Sequence, residues 1–136
     1  MSRVINPDSA GKERTHLTKS VVLAVRQLAR QASVDELTRD LAAYIALALF
    51  RVEATIDSSV QAWEKRGYWV KADKFRMEWQ WSGQYAAKMK QAVLAEDWAQ
   101  VAVLSAQVGQ KLAKIQIAEH HRMGTPWIGA YKKLRE

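Results

Sequence analysis

The chain has 136 residues, 49% hydrophobic and 26% charged, a balance that suits one domain with its own core and excludes a disordered polyelectrolyte. With no cysteine it has no disulfide framework, no thiolate ligands for a metal and no thiol nucleophile. The net charge is +7, the first twenty residues are polar, and the longest apolar run, Leu41 to Phe50, is about half a membrane span, so a basic cytoplasmic protein with no membrane partner is expected.

Between Lys12 and Met123 the glycines are Gly67, Gly83 and Gly109, and there is no proline. Turn chemistry is too sparse for strands, and alanine is abundant, so a single helical domain over residues 1–136 is predicted. A first helix over about 7–31 opens at Asn6-Pro7-Asp8, which reads as an N-cap, a proline at the first helical position and an acid in the first turn. Its apolar stripe is Leu17, Val21, Ala24 and Leu28. Ser33 and Glu36 form a capping box for a second helix over about 34–66, with Leu37, Leu41, Tyr44, Ala48, Val52, Ile56 and Trp63 on one side. Lys65-Arg66-Gly67 supplies cations to its last turn and a glycine just beyond.

A third helix over about 69–95 carries Ala72, Phe75, Trp79, Ser82, Ala86, Met89 and Val93 in strict 3-4 alternation. Asp97 with Gln100 opens a fourth over about 98–123, with Val101, Leu104, Val108, Leu112 and Ile115 facing inward. Gly124 and Pro126 end it. The architecture expected is all-α, an antiparallel up-down four-helix bundle with a short C-terminal tail, residues 124–136.

Two of these helices hold more apolar surface than one core needs. On the third, Val70, Met77 and Trp81 lie opposite the core stripe, Tyr85 lies at its edge, and Lys74 and Lys88 flank them. On the second, Leu47 and Phe50 point away from the stripe. A second apolar stripe must be covered by something. The tail, through Trp127, Ile128 and Tyr131, is one cover, and a second copy of the chain or another protein is the preferred one. A homo-oligomer is therefore expected, with Leu47, Phe50, Val70, Met77, Trp81 and Tyr85 as candidate partner-binding residues.

A second candidate lies at one end of the bundle. Glu119 continues the stripe of the fourth helix and Arg66 that of the second, which would bring them together with Trp63, Trp69 and His120. An ion pair plugging the bundle and a small-ligand pocket are the two readings of that cluster. The usual enzymatic use of such a bundle, a di-metal carboxylate site, needs a Glu-x-x-His on each of two helices, and the chain does not supply the pair. Glu53, Asp57 and Glu64 instead form an outer acidic stripe. No metal, no cofactor and no catalytic residue is expected.

Lys12, Lys19, Arg26 and Arg30 fall on the side of the first helix away from its core stripe. They read as a solvated face, or as a ridge that contacts phosphates. The function expected is a non-catalytic interaction or adaptor module, or a subunit of a larger assembly. The alternative is a nucleic-acid-associated protein, and a small-ligand binder at the Trp63/Arg66/Glu119 end comes third.

Overall fold

Pro7 can start a helix without cost, because the first N–H of a helix has no partner in any case. From that residue a computed structural model describes the chain over 7–136. The N-cap expected at Asn6 lies outside the described residues. Among the described residues six helices follow in order: α1 (Pro7–Ala29), α2 (Glu36–Lys65), α3 (Trp69–Trp79), α4 (Trp81–Leu94), α5 (Trp98–Lys111) and α6 (Ala130–Arg135). The protein is all-α, with no strand among the described residues. α3 and α4 are halves of one rod, since Gln80 between them keeps helical angles of φ −61° and ψ −22°. Counted so, four rods form the antiparallel bundle, and α6 is a short addition packed against α2.

α2 is the central element, with α1, α3, α4 and α6 packed against it. Leu41, Ala42, Ala43, Ile45 and Ala46 are all fully buried and spread over about 200° of the helix circumference. Burial over more than half the circumference needs more than one neighbour, and α2 has the other rods on one side and α6 as a further cover. The rest of the core comes from Leu17, Val21 and Ala24 of α1, Met89 and Val93 of α4, and Val101, Leu104 and Val108 of α5.

The turn after α2 and the turn after α4 have the same construction. Tyr68 N–H donates to the Trp63 carbonyl and Gly67 N–H to that of Glu64, a Schellman closure in which Gly67 takes φ +81°. Asp97 N–H donates to the Ala92 carbonyl and Glu96 N–H to that of Val93, so here Glu96 occupies the left-handed position at φ +54°. Asp97 then caps α5, its carboxylate accepting from Gln100 N–H at 3.2 Å.

Four boundaries differ from the sequence reading. The cap of α2 is Asp35, whose carboxylate accepts from Thr38 N–H at 2.9 Å, and not Ser33. Thr38 also donates its hydroxyl to the Ser33 carbonyl at 2.7 Å, which folds the residues before the helix back onto its first turn. α1 ends at Ala29 rather than 31, its last turn closed by i→i−3 bonds from Arg30 and Gln31. The third rod is interrupted at Gln80. α5 ends at Lys111 rather than 123, because Ile115 and Ile117 both pack against the core. Residues two apart face the same side only in extended chain; on a helix they diverge by about 200°.

The tail docks on its own bundle. Trp127, Ala130 and Leu134 are buried, and the Trp127 ring meets Tyr44 edge-on at 6.4 Å. Asp40 of α2 accepts from Gly129 N–H at 3.1 Å and Tyr131 N–H at 3.0 Å. A carboxylate on one helix thus satisfies the open N–H groups at the start of another.

Candidate functional site

Five aromatic rings form a continuous ladder along the second and third rods. Trp63 meets Phe75 edge-on at 4.8 Å, Phe75 meets Trp79 at 6.4 Å, Trp79 stacks on Trp81 at 6.0 Å, and Trp81 meets Tyr85 edge-on at 6.1 Å. Phe75 with Trp79, and Trp81 with Tyr85, are ordinary i,i+4 neighbours. Trp79 and Trp81 are not: on an unbroken helix their side chains would diverge by about 200°, so their stacking goes with the interruption at Gln80. Each such ring pair contributes about 0.5–1.5 kcal/mol beyond the area it buries.

Three cations lie on the faces of this ladder: Lys71 over Trp63 at 4.6 Å, Arg14 over Phe75 at 4.7 Å and Lys88 over Tyr85 at 5.3 Å. Arg14 reaches across from α1, donating to the Thr55 carbonyl at 3.4 Å and to Ser59 Oγ at 3.3 Å on α2. Partial burial lowers its pKa from the ordinary guanidinium value, and the negative charge of Glu78 works against that shift. It remains a cation at any physiological pH and ties three elements together.

The candidate partner residues separate into two groups. Leu47, Trp81 and Tyr85 are half-buried and packed against the protein's own core, so the expectation that they form part of an open face is corrected. Trp81 leaves the line of Val70 and Met77, its ring stacked on Trp79 and packed against the core. Phe50 is at the margin of exposure, whereas Val70 is 70% exposed and Met77 71%. Tyr68 and Trp69 beside them are 55% and 59% exposed. Only Ala72 of α3 is fully buried. The docked tail leaves this face of α3 uncovered.

The ligand end expected from Trp63, Arg66, Trp69, Glu119 and His120 does not assemble as drawn. Glu119 and His120 lie beyond the end of α5, in irregular chain, and are exposed, as are Arg66 and Trp69. Among the described residues no ion pair joins Arg66 to Glu119. The stripe that was to carry Glu119 inward stops with the helix. Trp63 lines an open cleft of about 560 Å³, shared with Val70, Lys71, Lys74, Phe75 and Glu78.

The acidic stripe of α2 stays at the surface, with Glu53 and Asp57 exposed and Glu64 half-buried. Glu64 pairs with Arg76 at 3.5 Å, and Glu53 lies directly over Gly83 of α4, where a side chain would meet its carboxylate. The chain's single Glu-x-x-His, Glu13 to His16, has its carboxylate on Arg51 at 2.7 Å. Among the described residues no group of three or more His, Asp or Glu could hold a metal ion, and no helix is long and apolar enough to cross a membrane.

Sequence reasoning missed Asp40. It sits on α2 among Leu37, Leu41 and Tyr44, and an acid within an apolar stripe is the signal that a donor must come to it. Comparison of the chain with protein-family descriptions, with curated proteins and with solved structures finds no match.

Proposed function

We propose that this protein is a non-catalytic helical interaction module that acts as a homodimer joined through the outer face of α3. The observation that carries the reading is the exposure of Val70 and Met77, both about 70% exposed and seven residues apart on one face. That face points about 180° away from Ala72 and Trp79, which face the bundle. Methionine and aromatic groups are the types enriched at protein contacts, and Tyr68 and Trp69 extend the patch at the start of the helix.

A second copy fits this face by charge. Asp73 lies on one flank of the Val70–Met77 line and Lys74 on the other. About a two-fold axis parallel to α3, each Asp73 faces Lys74 of the other copy, while Val70 and Met77 meet their own counterparts. An antiparallel approach would instead set Asp73 against Asp73. The exposed contact of Asp73 with Arg76, 2.8 Å within one turn, is weak enough to be shared or exchanged.

Sedimentation equilibrium tests this. The wild type is expected at twice 15.5 kDa, and Met77→Glu at 15.5 kDa, with association weakened about tenfold or more. Asp73→Lys is expected to weaken the dimer, and Asp73→Lys with Lys74→Asp to restore it. A wild type that stays at 15.5 kDa at high concentration overturns the proposal. Failure of the double exchange to restore association overturns the parallel arrangement.

A further inference from the structure

The basic residues of α1 do not all stand on an open convex surface. Lys12, Arg14, His16, Lys19 and Lys114 line two adjoining concavities, of about 350 and 740 Å³, between α1 and the chain that follows α5. Arg14, Thr15 and Lys19 line both, so the two form one groove, which runs along α1 for roughly 10 Å at 1.5 Å per residue. No carboxylate lines either part. Glu13 is held by Arg51, and Glu78 lines the separate cleft beside Trp63. Among the described residues Lys19 and Lys114 have no ion pair.

Trp79, half-buried at the end of α3, lines the part of the groove that holds Lys19 and Lys114. A solvated basic face needs neither a concavity nor an aromatic ring set between its cations. A groove that tracks phosphates and offers a ring to a base needs both. We propose that this groove binds a single strand of nucleic acid, its phosphates on Lys12, Lys19 and Lys114 and a base against the accessible part of Trp79. Arg14 contributes field rather than a direct contact, because its guanidinium is already held by Ser59 and Phe75. The site is independent of the outer face of α3.

Fluorescence anisotropy of a labelled oligothymidylate, titrated with the full chain at increasing potassium chloride, reads the contact directly. Three phosphate contacts give a slope of log K against log salt of about −2, at roughly −0.7 per contact on a single strand. Lys19→Gln with Lys114→Gln is expected to bring the slope to about −0.7. Arg26→Gln, on the same helix but outside the groove, is expected to leave it unchanged. Both variants alter groups at the surface and should keep the wild-type helix content by circular dichroism. Absence of binding at low salt, or an unchanged slope in the double variant, overturns the proposal. So does equal affinity for an abasic strand of the same length, which would reduce the site to charge alone.

Discussion

The link between α2 and the tail rests on one carboxylate, and Asp40→Asn isolates it. In the native protein Asp40 accepts from Gly129 N–H at 3.1 Å and Tyr131 N–H at 3.0 Å, with 8% of the residue exposed. A hydrogen bond to a charged acceptor contributes about 1.5–3 kcal/mol, and an N–H left buried without a partner costs about 1–3 kcal/mol. Asparagine keeps the shape but has one acceptor oxygen, so one bond becomes neutral and the other N–H faces an amide NH2. The loss is about 2–3 kcal/mol on that reckoning. α6 has six residues, too few to hold a helix unaided, so the loss falls on the tail rather than on the bundle. Native-state hydrogen exchange of the Tyr131 to Leu134 amides is expected to accelerate about 30- to 160-fold, at 1.36 kcal/mol per factor of ten. Exchange in α2 and α5 should stay at its wild-type rate. Acceleration of less than about threefold would refute the reasoning, since Trp127, Ala130 and Leu134 would then hold the tail by burial alone.

Two further outcomes follow from the helix ends. Glu96→Gly is expected to stabilise the protein by about 1 kcal/mol, because a non-glycine residue in the left-handed region costs about that much. Its 3.9 Å contact with Arg39 is too exposed to offset the gain, and Gly67→Ala, at φ +81° in the matching turn, should cost a similar amount. Urea midpoints of the two variants should move in opposite directions, and a Glu96→Gly midpoint below wild type would contradict the assignment. The hydrogen bond from the Thr38 N–H holds the Asp35 carboxyl below its usual range. A depressed carboxyl stabilises above its unfolded pKa, about 3.9, and that contribution is lost as pH falls through the lower folded value. Asp35→Asn should therefore melt below wild type at neutral pH and converge with it in acid; a gap that persists in strong acid would be against the cap.

Much of this fold is legible in the sequence, since the rods announce themselves by period and by their ends. Leu17, Val21 and Ala24, or Val101, Leu104 and Val108, recur at 3.6-residue spacing, and all are buried. Gly67 and Asp97 stand at the turns where their chemistry is needed. What is not legible depends on distant partners. Nothing local distinguishes Ser33 from Asp35 as a cap, because both stand three residues before a usable N–H, and only the path of the preceding loop decides. The end of α5 was hidden because Leu112 and Ile115 continue the helical period; Ile117 breaks it, and its pull toward the core wins. The candidate site divides in the same way. Val70 and Met77 are exposed as spacing predicts, while Trp81 is claimed by a ring two residues away that no periodic rule would bring to it.

The stacking of Trp81 on Trp79 across Gln80 shapes what the outer face of α3 presents. Along α3, Met77 and Trp79 are two positions apart and diverge by about 200°. The first points away from the bundle and the second into the ladder and the edge of the basic groove. Had the helix run on unbroken, Trp81 would have returned to the side of Met77 and doubled the exposed apolar face. Stacking Trp81 on Trp79 removes a large ring from that face and leaves a narrow line, Val70 and Met77, between one acid and one base. A narrow line with opposite charges on its two flanks is specific in a way that a broad aromatic patch is not, because a wrong partner or a wrong direction brings like charges together. The aromatic ladder is for that reason the element that shapes the proposed docking face, although its own rings are half-buried against the core.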